Sequence, residues 1–254
     1  MKKFVIPVLC VTILLLIALS VVILRRGTVI PEGAVKCENI VSYCVGDVTN
    51  DGIPEALIIS GIGEIDTGER HGQLLLVCDA SVVDKMYDIG YIPLERIVCS
   101  IDLTGIKPLK VQIGDINGDG VNEVAICVYK TAKFHEVMAK RPFFFDLVEG
   151  NLIPVWLGSR LSRPFDDYIL FDINEDGLDE VISIEHTQNG NRIVAVYIWK
   201  GFGFEMLTES AELDAPLQFD TEPPRTSGNM AEIGIIKGKS EKLIIAFSVN
   251  ENEG

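Results

Sequence analysis

Beyond its first 35 residues the chain alternates short apolar runs with polar, glycine-rich turns, and no stretch there repeats with the 3.6-residue period of an amphipathic helix. One unit predicts four strands over 110–113, 124–129, 142–147 and 152–157. The next predicts four over 168–171, 180–184, 193–199 and 204–207. An earlier unit offers 40–45, 56–59 and 73–78, then a less regular stretch up to 101. Three more β-rich pieces lie around Phe219, at 233–236 and at 243–247. Residues 216–230, with Asp220, Pro223, Pro224, Ser227 and Gly228, read as an exposed loop.

The turn between the first and second strands recurs almost unchanged. Gly46-Asp47-Val48-Thr49-Asn50-Asp51-Gly52-Ile53-Pro54-Glu55 aligns without gaps on Gly114-Asp115-Ile116-Asn117-Gly118-Asp119-Gly120-Val121-Asn122-Glu123. Both align on Phe171-Asp172-Ile173-Asn174-Glu175-Asp176-Gly177-Leu178-Asp179-Glu180. Calcium takes six to eight oxygen ligands, and a tightly coiled loop can offer them at alternate positions. Positions 1, 3, 5 and 9 supply Asp47, Thr49, Asp51 and Glu55; then Asp115, Asn117, Asp119 and Glu123; then Asp172, Asn174, Asp176 and Glu180. The backbone carbonyls of Ile53, Val121 and Leu178 would serve at position 7, and a glycine at position 6 permits the sharp turn. Thr49 makes the first loop the weakest of the three. These are not EF-hands, because position 12 is Ile58, Ile126 or Ser183 and the flanks are strands. The alternative for each loop is a metal-free Asp/Asn/Gly turn.

The pattern D-x-[DN]-x-D-G-x-x-[DE], set between strands and recurring 68 and then 57 residues on, resembles the FG-GAP/VCBS repeat family. The propeller of integrin α subunits belongs to that class. The resemblance covers roughly residues 36–210 and implies an all-β fold; with the later β-rich pieces the strands count to a small β-propeller of about four blades over residues 36–250. The last blade would be degenerate, lacking the calcium loop. A half-propeller completed by another copy, or an irregular β-sandwich, is also open at this point.

Charge and hydropathy add a location. Residues 4–24 form an uncharged, almost wholly apolar run flanked by Lys2, Lys3, Arg25 and Arg26. As a helix it would be roughly 31 Å long, enough to span a bilayer. Residues 1–27 therefore read as a single-pass anchor and 28–35 as a linker. A signal peptide cleaved near Ser20, giving a secreted protein, is the alternative. The first 26 residues hold four of the 22 basic side chains and none of the 37 acidic ones, so the rest of the chain carries −19. Such a surface speaks against nucleic acid and suits cations.

The remaining chemistry is sparse. Cys37, Cys44, Cys78, Cys99 and Cys127 form no C-x-x-C pair; Cys37 and Cys44 could bridge in an oxidising compartment, while Cys78 and Cys127 lie in apolar runs. His71, His135 and His186 belong to no catalytic motif, and His71 reads as part of a solvated loop. One basic segment, with Trp156, Arg160 and Arg163, could take an anionic or sugar ligand, or could be an inter-blade connection whose arginines pair locally.

Short calcium loops of this sort belong to the weak class that fills outside cells. The expected function is thus a membrane-anchored, extracytoplasmic calcium-binding module for a protein or glycan, not a nucleic acid. An extracytoplasmic hydrolase or lyase on the same scaffold, or a purely structural accessory subunit, are the competing readings.

Overall fold

The computed structural model describes residues 30–84, 90–133, 135–158 and 160–248, so the anchor expected over residues 4–24 lies outside the described residues. Among the described residues no helix is long and apolar enough to cross a membrane.

Strand β1 (Ala34–Lys36) takes up the end of the expected linker. It is followed by β2 (Ile40–Gly46) and β3 (Glu55–Ser60), a small ribbon of β4 (Gly63–Glu64) and β5 (Arg70–His71), and then β6 (Leu74–Asp79), β7 (Tyr91–Pro93) and β8 (Ile97–Asp102). The first blade is the sheet β2-β3-β6-β8, while β1 pairs with β7. The less regular stretch of the sequence thus supplies a complete fourth strand.

The second blade runs β9 (Pro108–Gly114), β10 (Glu123–Ala132), β11 (His135–Val148) and β12 (Asn151–Leu157), and the third β13 (Phe165–Phe171), β14 (Glu180–His186), β15 (Arg192–Trp199) and β16 (Phe204–Glu209). All neighbouring strands within these blades are antiparallel.

The fourth blade differs. Its first strand is broken into β17 (Leu217–Phe219) and β18 (Arg225–Ser227), which share one edge of β19 (Met230–Lys237), while β20 (Glu241–Ser248) takes the other. Pro223 and Pro224, which lack the N–H a ladder needs, lie in the break. The segment 216–230 is therefore not one loop but two short strands around a proline kink. The four sheets are arranged as the blades of a β-propeller.

Side-chain alternation explains how the blades stack. In β3, Leu57 and Ile59 join Val124, Ile126 and Val128 of β10 in one apolar cluster, while Ala56 and Ile58 face the other way. Ala125 and Cys127 of β10 meet Val181 of β14 in the next cluster. Ile182 and Ile184 then meet Ala231, Ile233 and Ile235 of β19. Central strands buried on both faces read as continuous apolar runs. Fully burying a Val, Leu or Ile side chain contributes about 1.5–3 kcal/mol, so each seam is held mainly by these runs. Strand β19 instead alternates buried and exposed positions, so its outer face is solvated. The far face of the first blade is covered by β1 and β7, through Val35 and Ile92. Among the described residues no apolar cluster joins the fourth blade to the first.

The five cysteines among the described residues are free. Cys37 lies in the cluster under β1 and β7, whereas Cys44 packs toward the second blade, so the two sit on opposite faces of the first sheet and do not pair.

Candidate functional site

The first strands β2, β9 and β13 run side by side in the same direction. The Val111 N–H donates to Ser42 Oγ at 3.1 Å, Gly46 lies against Ile113, and the Leu170 N–H donates to Gln112 Oε1 at 3.3 Å. Their C-terminal ends therefore bring the three acidic loops to one end of the propeller.

Each loop has the same internal scaffold. The position-6 N–H of Gly52, Gly120 and Gly177 donates to the position-1 aspartate, Asp47, Asp115 or Asp172, at 2.9, 2.9 and 2.8 Å. The N–H of Ile53, Val121 and Leu178 donates to Asp51, Asp119 and Asp176 at 2.8, 2.8 and 2.9 Å. The N–H of Val48, Ile116 and Ile173 donates to Glu55, Glu123 and Glu180 at 3.1, 2.9 and 3.0 Å. The glycines at position 6 all have positive φ, from 80° to 88°. Position 4 also has positive φ, as Asn50, Gly118 and Glu175, a requirement the sequence comparison did not expose.

The donor chemistry fits a hard cation. Glu55, Glu123 and Glu180 are buried. Among the described residues, no lysine or arginine pairs with any of Asp47, Asp51, Glu55, Asp115, Asp119, Glu123, Asp172, Asp176 or Glu180; the ion pairs lie elsewhere. Asp47 Oδ1 is buried and has no hydrogen-bond partner. Burial pushes Glu123 and Glu180 up to about 7 each; a backbone N–H pulls the other way, and the loop aspartates add to the rise. A buried carboxylate with no counter-charge is costly unless a cation joins it.

Position 3 faces position 9 in every loop. Thr49 Oγ1 donates to Glu55 Oε1 at 3.2 Å, Asn117 Nδ2 donates to Glu123 Oε1, and Asn174 Nδ2 lies 3.4 Å from Glu180 Oε1. Turning over the two amides would present Oδ1 to a cation beside the glutamate. In their present orientation, among the described residues, no three His, Cys, Asp or Glu side chains converge as a ready metal cluster.

Position 8, which carried no role in the sequence reading, links one loop to another. Asn122 Nδ2 donates to the Asp47 carbonyl at 2.7 Å. Asp179 Oδ2 accepts the Asp115 N–H at 3.0 Å, and the Asp179 N–H returns to the Asp115 carbonyl at 2.7 Å. Leu178 packs over Gly118 so closely that a Cβ there would lie 2.6 Å from it. The third loop is tied in turn to the fourth blade, where Thr226 Oγ1 donates to the Ile173 carbonyl at 3.0 Å.

The basic segment is spread over different surroundings. Trp156 packs its ring against Phe144 and Phe204, with centroids 6.1 and 5.0 Å away. Arg163 pairs with Glu209 at 2.8 Å and Glu185 at 3.5 Å, and Arg160 is exposed. His71 is buried, bonded to the Gly72 carbonyl at 2.7 Å and stacked on Gly63, so it is not solvated.

At the opposite end, the starts of β2, β9, β13 and β17 line an open cavity of about 910 Å³. Arg192 and Asp166 in its wall pair at 2.6 Å, and His186 Nε2, outside the lining, lies 2.6 Å from the same carboxylate. No motif links these residues in sequence.

The chain matches no protein-family model, and a comparison with curated proteins finds no match.

Proposed function

We propose that this chain is a membrane-anchored, extracytoplasmic β-propeller module whose FG-GAP/VCBS-like loops bind calcium, and that the calcium-set propeller binds a protein or glycan. One observation carries the reading: three loops repeat a single hydrogen-bond scaffold around buried carboxylates that no basic side chain compensates. Asp115, Asn117, Asp119, the Val121 carbonyl and Glu123 would hold one ion. Asp172, Asn174, Asp176, the Leu178 carbonyl and Glu180 would hold a second. Asp47, Thr49, Asp51, the Ile53 carbonyl and Glu55 would form the weakest site. Bound calcium supplies positive charge to the loops and fixes their shape. Loops this short and this exposed belong with weak calcium modules, which fill outside the cytoplasm and stay largely empty inside it. The apolar run over residues 4–24 is the anchor in this reading.

The test is thermal unfolding of the full-length chain in detergent, with millimolar calcium and with chelator. Calcium stabilises the folded state by mass action, about 2.7 kcal/mol at a hundredfold excess over Kd. The transition should rise with calcium, and Asp115→Ala combined with Asp172→Ala should remove most of the rise. A transition indifferent to calcium would sink the reading.

A further inference from the structure

The axial cavity lies at the end of the inner strands away from the acidic loops, and its charge is unlike that of the rest of the domain. Arg70, Lys110, Lys140 and Arg192 line it together with Glu69, Asp166 and Asp167. They come from three blades and meet only through the fold. Lys110 pairs with Asp167 at 2.9 Å, Lys140 with Glu69 at 2.8 Å and Arg192 with Asp166 at 2.6 Å. The two ammonium groups are each held by a backbone carbonyl as well: Lys110 by Tyr168 at 2.7 Å, Lys140 by Asp166 at 2.5 Å. Three acids thus balance three bases.

Arg70 is left over. It makes no ion pair among the described residues, and Glu64, opposite it in the ribbon, is not within ion-pair distance. The ribbon that carries it is fixed to the cavity wall, because the Gly72 N–H donates to the Pro108 carbonyl at 2.8 Å. Between these groups the wall is mostly apolar, with Val41, Leu109, Leu217 and Phe219, and includes Ser42 and Gln218.

We propose that this cavity is a binding site for a small organic carboxylate: the carboxylate lies in the Arg70 fork beside the fixed ammonium groups of Lys110 and Lys140, and its apolar body lies against Leu109, Leu217 and Phe219. A guanidinium matches a carboxylate through two parallel hydrogen bonds. The volume is that of a small-molecule site, and apolar side chains share its wall with the charged groups already named. The surrounding charge of −19 disfavours polyanions, which makes a single carboxylate the better fit. The site is separate from the calcium loops and does not depend on them.

The test is methyl NMR of the full-length chain in detergent, titrated with benzoate and separately with benzamide, its neutral counterpart, in calcium and in chelator. Benzoate should shift the Val41, Leu109 and Leu217 methyls saturably at millimolar concentration, and benzamide should not. Arg70→Gln should weaken benzoate binding at least tenfold, while Arg225→Gln, on the exposed edge of the fourth blade, should leave it unchanged. Absence of saturable shifts at these methyls, equal shifts with benzamide, or full binding by Arg70→Gln would each overturn the proposal. Because both calcium conditions are read, failure of the loops to bind calcium leaves this result interpretable.

Discussion

Asp179 and Asp115 hold each other twice: the Asp179 carboxylate accepts the Asp115 N–H at 3.0 Å and the Asp179 N–H reaches the Asp115 carbonyl at 2.7 Å. The first residue of one acidic loop is therefore positioned by the next blade. Gly114 lies so close that a Cβ there would meet Asp179 Oδ2 at 2.5 Å. Removing the acceptor from a half-buried N–H costs about 1–3 kcal/mol. Asp179→Ala should destabilise the protein by that amount in urea unfolding and weaken calcium binding at the Asp115 loop. Asp179→Asn keeps an acceptor oxygen and should recover part of both losses. Equal stability of the alanine variant would show that the seam does not depend on this pair.

Glu175 occupies position 4 of its loop with φ of 60°, where the second loop has Gly118 at 80°. A left-handed conformation costs a side-chain-bearing residue about 1–2 kcal/mol relative to glycine. Part of that gain is offset by the freer unfolded chain, so Glu175→Gly should raise stability by about 0.5–1 kcal/mol. The midpoint of chemical denaturation, compared with wild type in calcium, checks it.

Carboxyls raised by desolvation set a pH dependence, Glu123, Glu180 and Asp179 foremost, with Asp146 and Glu185 raised in the same direction. Burial raises Glu123 and Glu180 from an ordinary 4.5 to about 7, and raises Asp179 from 3.8 to about 6. Between those limits the folded protein binds protons that the unfolded chain has released, so stability falls as pH rises. The calcium-free protein should therefore be more stable near pH 5 than near pH 8. Calcium competes with the same protons, so its stabilising effect should grow across that window. Asp79, lowered to about 2, acts only in acid below this range. Unfolding curves in chelator at the two pH values decide the matter; greater stability at pH 8 would contradict it.

Arg141 is fully buried, yet among the described residues it makes no ion pair with an acid. Its Nε donates to the Lys130 carbonyl at 2.6 Å, and Nη2 donates to the carbonyls of His135 and Val137 at 3.0 and 2.7 Å. Burial lowers its pKa. The side chain closes the end of the long β10–β11 hairpin by satisfying carbonyls that face inward. Arg141→Ala should cost about 2–4 kcal/mol and speed hydrogen exchange over residues 130–139. Arg141→Lys, with one ammonium in place of a planar fork, should restore only part of the protection.

The sequence by itself determined the main strands of the first three blades and the three acidic loops. Apolar runs such as 124–129 and 180–184 mark central strands buried on both faces, and a spacing of aspartates around one glycine marks a tight oxygen-rich turn. Both signals are local: they depend on the two-residue alternation of a strand and on the freedom of glycine at positive φ, and each is contained within about ten residues. The tertiary structure decided everything that joins one blade to another. Position 8 became a latch only because Asn122 and Asp179 fall beside loop residues 75 and 64 positions earlier. The segment 216–230 became two strands because β19 offered its free edge. His71 was buried by the approach of Gly63, and Cys37 and Cys44 were separated by the sheet between them. The cavity with Arg70, Lys110 and Arg192 has no sequence signature. Its members meet because parallel inner strands bring their N-terminal ends to one axis, and only the packing of whole sheets fixes that distance.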